Sequence, residues 1–355
     1  MTAIVDTREQ ADALELPPLL VRRPLERFLD DNGLGSGPLE AEPLGDGHSN
    51  VTYLVRRDDE EFVVRRPPRP PLPPSAHDVL REARLLRALA GTPVRVPNVL
   101  AVCDDERVIG APFYVMERLD GHVLTGSIPD ELDGEADRRR IGEELIDALV
   151  EVHAVDIDAV GLDTFGRRTG YLDRQLRRFS GLWEINKTRE VPELDRLTAW
   201  LAEHKPESGP ATIVHGDYRL GNTMFGPDAP AELVAIFDWE LATIGDPLAD
   251  VGYLTATWSE AGDAPGSVMS LSALTAQPGF LTRAELIARY EAGSGRSVSS
   301  VNWYGALALW KSAVFLEGSY KRRLAGTTDD PFFDLLGEGV PRLVEQAWAV
   351  AESLI

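Results

Sequence analysis

The stretch Ile213-Val214-His215-Gly216-Asp217-Tyr218-Arg219-Leu220-Gly221-Asn222, followed by Ile236-Phe237-Asp238, decides how this chain is read. An Asp, an Asn five places on and a second Asp sixteen places further each sit beside an apolar run. A carboxylate in a loop can orient a hydroxyl and take its proton. An amide and a second carboxylate supply oxygen ligands suited to Mg²⁺. Those are the parts needed to move a phosphoryl group from ATP to an alcohol. Asp217 is the expected base, and Asn222 and Asp238 the expected metal ligands. Arg219, two past the base, is placed to neutralise charge on a transferring phosphate. His215-Gly216 is expected to pack beneath the loop.

The remainder of the chain sets bounds. Its 355 residues suit two lobes better than one core, and a hydrophobic share of 43% is ordinary for a globular protein. A single cysteine, Cys103, excludes an internal disulfide and fits a reducing cytoplasmic setting. The formal charge of −22 argues against nucleic acid and anionic membrane surfaces as partners. Met1 to Gln10 has no apolar h-region, so no signal peptide is expected, and no apolar run reaches membrane-spanning length. The six histidines lack zinc-ligand spacing. Basic residues are nearly all arginine: the four lysines are Lys187, Lys205, Lys311 and Lys321.

Patterning places strands in the first third. Val51 to Val55 and Glu61 to Arg66 read as a hairpin, and Val96 to Cys103 and Pro112 to Leu119 as two further strands. His77 to Ala90 carries Leu80, Ala83, Leu86 and Leu89 at helical spacing. Pro67 to Pro74 reads as a stiff surface linker. Beyond residue 121 the chain is mainly helical, with candidates at Arg138–Val155, Pro192–His204, Arg283–Ala292, Tyr304–Arg323 and Pro341–Leu354. Asp246 is expected to cap a helix. The expected architecture is α+β and bilobal: a β-rich lobe with one main helix at 1–116, a hinge at 117–121, and a larger helical lobe at 122–355.

HGDYRLGN with IFDWELATIGDPLAD resembles the aminoglycoside phosphotransferase (choline kinase-like) family, and more closely its branch associated with acyl-CoA dehydrogenases. Ser49-Asn50-Val51-Thr52-Tyr53, Arg65-Arg66-Pro67-Pro68, Pro112 to Glu117, Gly170-Tyr171-Leu172 and Glu317 to Arg322 fit that branch too. The resemblance covers roughly residues 25–345. It implies the protein-kinase-like fold, ATP and Mg²⁺ as cofactors, and a small-molecule hydroxyl as acceptor. It also implies a phosphate-covering loop at Gly45 to Asn50, with Gly45, Gly47, Ser49 and Asn50 near the nucleotide. The rival cluster Gly33 to Gly37 lacks an immediately following strand and reads as a turn or linker. The family's strand lysine has no counterpart before Lys187. The matching residue is Arg65, with Glu82 on the next helix as its ion-pair partner. Glu117 and Leu119 would meet adenine through backbone groups. Asp250 would hold the catalytic loop by hydrogen bonds.

The acceptor is barely encoded. Tyr171, Arg174, Trp183, Trp258, Glu260 and Tyr320 are candidates by position. An aminoglycoside would require several carboxylates, a hydroxyacyl compound an apolar slot with Arg or Lys at its mouth, and a choline-like acceptor an aromatic cage. Arg65 in place of lysine keeps open a catalytically silent nucleotide-binding module. A protein kinase is disfavoured, because no activation segment ending in Ala-Pro-Glu lies between Asp238 and Asp250.

Overall fold

The computed structural model describes residues 4–45, 50–72, 77–263, 267–327 and 330–353, in two compact units, Met1–Asp120 and Gly121–Ile355. The first unit is built on one antiparallel sheet. Its strands are β1 (Glu40–Pro43), β2 (Val51–Arg57), β3 (Glu60–Arg66), β4 (Val99–Cys103) and β5 (Phe113–Glu117), in the order β1-β2-β3-β5-β4. The two longer helices of this unit are α1 (Arg22–Asp31) and α2 (Val79–Leu89).

Strand alternation assigns the two faces of the sheet. The hairpin pairs Val55 with Phe62 and Tyr53 with Val64, turning at Asp58, which sits at φ 48°; aspartate tolerates that left-handed region in turns. Tyr53, Val55, Phe62, Val64, Phe113 and Val115 pack with Leu25 and Leu29 of α1. Arg65 falls on the opposite face from Val64. Gly33, Gly35 and Gly37 all have positive φ and lie in the connection between α1 and β1.

The second unit carries two small sheets among helices. Strands β6 (His122–Val123), β8 (Thr223–Phe225) and β9 (Leu233–Ile236) form one, in the order β9-β8-β6. Strands β7 (Thr212–Val214) and β10 (Thr243–Gly245) form the other. The helices are α3 (Glu135–Ala154), α4 (Tyr171–Asn186), α5 (Pro192–Glu203), α6 (Leu248–Thr257), α7 (Arg283–Ser294), α8 (Val301–Leu324) and α9 (Leu336–Glu352). Helix α8 is buried along most of its length, and α4, α6 and α9 pack on it. A Cβ on Gly252 of α6 would meet the Tyr304 carbonyl carbon at 2.5 Å, so glycine is what lets α6 approach α8. Among the described residues no helix is long and apolar enough to cross a membrane.

Two local expectations change. Helix α4 is absent from the sequence-derived helices, because its arginines interrupt the apolar stripe of Leu172, Leu176 and Phe179. Helix α9 starts at Leu336, not Pro341, and runs through that proline. Proline cannot bond the carbonyl four residues back; the Gly337 carbonyl accepts from Arg189 Nη1 instead. Asp246 caps the start of α6 as expected, from just before Pro247, whose backbone is already helical. It accepts from the Leu248 N–H at 3.1 Å and from the Tyr304 hydroxyl at 2.7 Å, tying the start of α6 to α8.

Candidate active site

The loop between β7 and β8 is built from backbone constraints. Gly216 has φ 87°, and a Cβ there would lie 3.0 Å from the Leu241 carbonyl oxygen, so the middle residue of His-Gly-Asp has to be glycine. The fully buried Asp250 of α6 holds the loop from below. Its carboxylate accepts from the main-chain N–H of His215 at 2.7 Å and of Gly216 at 2.8 Å, and meets His153 Nε2 at 3.2 Å. Burial raises the Asp250 carboxyl, but His153, His215 and the Gly216 N–H outweigh it and leave the pKa below its ordinary value.

His215 ties this loop to the segment after β9. Its Nδ1 accepts from the Asp217 N–H at 3.2 Å, so Nε2 must carry the proton it gives to the Phe237 carbonyl at 2.8 Å. The Trp239 ring lies 4.6 Å from the imidazole and is buried.

Register brings the three chemistry-bearing residues of the opening motif together. Thr223 pairs with Ile236, and the Phe237 N–H continues the ladder to the Asn222 carbonyl at 2.8 Å. Asn222 then directs Nδ2 to the Asp217 carbonyl and to Asp217 Oδ2, each at 2.8 Å. Its Oδ1 has no hydrogen-bond partner among the described residues. Asp238 sits at φ 63°, ψ 54°, a left-handed conformation that costs a non-glycine residue about 1 kcal/mol or more and tends to mark functional sites. Asp217 keeps 21% of its side chain exposed, and Arg219 Nε lies 3.7 Å from its Oδ1. A Cβ on Gly221 would collide with the Arg219 guanidinium, so glycine there makes room for it.

Two neighbours of Asp217 escaped the sequence reading. The Tyr253 phenol, three residues beyond Asp250 on α6, is held protonated by burial and by the Asp217 and Asp238 charges. The Lys311 ammonium on α8 also senses Asp217 and Asp250. The i, i+3 spacing of Asp250 and Tyr253 was a usable signal; Lys311 lies ninety-four positions from Asp217 and had none.

In the first unit Arg65 Nε donates to Glu82 Oε2 at 3.0 Å, with Glu82 2% exposed. Asn50 is buried and its Oδ1 meets His77 Nδ1 at 3.2 Å, which links the start of β2 to the residues before α2. Gly45 has φ 76°, while Gly47 and Ser49 lie outside the described residues. Glu117 bonds Asn98 with both its main-chain N–H and its carboxylate. Leu119, by contrast, makes no hydrogen bond to a described residue. Of the residues considered for the acceptor, Tyr171, Trp183 and Trp258 are buried in packing. Arg174, Glu260 and Tyr320 are engaged by Thr169, Arg283 and Arg189.

A five-stranded antiparallel sheet unit followed by a helical unit with this loop is the protein-kinase-like fold of the small-molecule phosphotransferases. The model of the phosphotransferase enzyme family matches residues 40–296, and the chain belongs to that family. It is similar to acyl-CoA dehydrogenase family member 10 of Mus musculus, with 33% identity over 353 residues, 98% of this chain and 32% of that protein. The chain thus spans about a third of that relative's length. Among solved structures it resembles a Ralstonia eutropha JMP134 protein provisionally named an aminoglycoside phosphotransferase. That likeness has a TM-score of 0.80 and 33% identity, covering 94% of this chain and 98% of that one. An aminoglycoside phosphotransferase mutant held with AMP-PNP and hygromycin B shares the fold at a TM-score of 0.60 and 15% identity, over 93% of this chain and 99% of its own.

Proposed function

We propose that this protein transfers the γ-phosphoryl group of ATP to a hydroxyl of a small molecule. The observation that carries the proposal is the arrangement of Asn222 around Asp217: the amide hydrogens orient the carboxylate, and the amide oxygen stays available. Asp217 holds the acceptor hydroxyl and takes its proton as the new P–O bond forms. The bond between the γ-phosphorus and the β,γ-bridging oxygen breaks, and ADP leaves with that oxygen. Arg219 balances the charge developing on the transferred group.

The donor set fits Mg²⁺. Asn222 Oδ1 and the Asp238 carboxylate are hard oxygen ligands, and a cation held by so few side chains takes the rest of its shell from phosphates and water. When bound, the cation would neutralise phosphate charge and orient the γ-phosphoryl for in-line attack. Arg65, oriented by Glu82, would supply the phosphate contact the family takes from lysine, as a planar fork and not a point charge. The intact Arg65–Glu82 pair favours this over a silent module. Leu119 offers the main-chain groups best suited to adenine; Glu117 and Asn50 would act by shaping their segments, and Gly45 by the turn it permits. The acyl-CoA dehydrogenase names of the relatives support a hydroxyacyl compound as acceptor over an aminoglycoside. The nucleotide complexes of the fold neighbours support ATP.

The test is Mg²⁺-dependent ATP consumption over a panel of aminoglycosides, hydroxy acids and hydroxyacyl thioesters, with Asp217→Asn as control. Loss of turnover by about 10²-fold or more in that variant is the expected result. Full activity in it rejects Asp217 as base.

A further inference from the structure

We propose that Lys311, seconded by Arg178, seats an anionic group of the acceptor, so that the molecule phosphorylated carries a carboxylate or a phosphate beside its hydroxyl. The inference rests on the function proposed above.

Lys311 is half-buried on α8 with its Nζ 5.0 Å from the centre of the Phe179 ring. It makes no hydrogen bond and no ion pair with any described residue. An ammonium group drawn out of water without a carboxylate is costly, and a ring face offsets only part of that cost. A second cation stands on the same ring: the Arg178 guanidinium carbon is 5.8 Å from its centre and likewise has no hydrogen-bond or ion-pair partner among the described residues. The two like charges act against each other.

The buried carboxylates Glu317, Asp246 and Asp250 are engaged elsewhere. Glu317, further along α8, binds Thr188 and Arg189. Asp246 binds Tyr304 and Leu248, and Asp250 binds His153 and the loop N–H groups. Asp217 and Asp250 do act on Lys311 through space, which places this cation in the electrostatic neighbourhood of the proposed base. Burial and Arg178 nevertheless outweigh them, and the Lys311 pKa falls to about 8. An arriving anion would relieve both the desolvation and the repulsion. One helical turn on, Phe315 is 59% exposed on the same face of α8 as Lys311. Cations next to exposed aromatic surface suit an anion on an apolar stem. They repel an aminoglycoside, whose ammonium groups would meet Lys311 and Arg178 instead of carboxylates.

The experiment compares three matched acceptor series, hydroxyalkanoates, hydroxyalkyl phosphates and uncharged diols, with kanamycin as the polycation. Wild-type protein should prefer one anionic series to the diols by about tenfold or more in kcat/KM; whichever series leads identifies carboxylate or phosphate. Lys311→Met should erase that preference by raising the KM of the anionic series toward that of the diols, and Lys311→Arg should restore most of it. Should Lys311→Met fold poorly, Arg178→Met, at an exposed position on the same ring, should lower the preference in the same sense. The inference is overturned if wild type prefers diols or kanamycin, if no anionic acceptor is turned over, or if the variants leave the anion-to-diol ratio unchanged. Asp217→Asn separates the two readings: activity surviving in it sinks the proposed base without touching the Lys311 result.

Discussion

Asn222 places both hydrogens of its side-chain amide on Asp217, one on the main-chain carbonyl and one on the carboxylate, each at 2.8 Å. One amide thus orients the proposed base and turns its own oxygen toward the proposed cation. Asn222→Ala removes both effects. Mg²⁺ titrations of ATP turnover should show affinity weakened about 10–100-fold, along with a fall in kcat. A variant with unchanged Mg²⁺ dependence would remove Asn222 from the metal shell.

Arg65→Met should cost stability as well as nucleotide affinity. Glu82 is almost fully buried and would lose its observed ion-pair partner. Breaking a buried pair from one side costs about 3–5 kcal/mol, and the 14% exposure of Arg65 places the expectation toward the lower figure. Urea unfolding should register the loss. Arg65→Lys should keep most of the stability and shift chiefly the KM for ATP.

Asp250 sets an acid limit. Its folded-state pKa lies below the ordinary 3.8, because loop N–H groups and His153 favour the charged form more than burial opposes it. The contribution is therefore present above about pH 3.8 and is lost as pH falls through the lower folded value. Thermal melts across this range should show wild type losing stability steeply at the acid end. Asp250→Asn should be less stable at neutral pH and have a flatter acid limb.

Lys311 acts at the other end of the scale. A lysine whose pKa falls to about 8 from 10.5 binds fewer protons in the folded state than in the unfolded chain between those values. Stability should therefore rise with pH through that window. Lys311→Met should remove the rise, read as Tm against pH between about 7.5 and 10.5. A wild-type slope identical to that of the variant would contradict the shift.

Much of this was legible along the chain, and the exceptions share a cause. The hairpin of β2 and β3 and helix α2 follow from alternation and helical spacing, which are local, whereas the pairing of Arg65 with Glu82 followed from the family resemblance. The start of α9 did not follow, because a proline normally ends a helix. Only Arg189, about 150 positions away, supplies the partner for the carbonyl that Pro341 leaves open. Helix α4 escaped because its arginines blur the apolar stripe that would announce it.

The sequence by itself determined the chemistry on offer: an Asp, an Asn and a second Asp at spacings that two short strands and a tight glycine turn can bring together. With no lysine before Lys187, it also left arginine as the long-chain cation that the first unit can offer. Only the tertiary structure decided which charges remain unpaired. Asp246, Asp250 and Glu317 look alike in sequence to any free carboxylate, yet each is hydrogen-bonded by residues far away in the chain. Lys311 and Arg178 look like ordinary helix cations, yet they stand together on one aromatic ring. Whether a charge is satisfied depends on its neighbours in space, and spacing along a chain does not encode those.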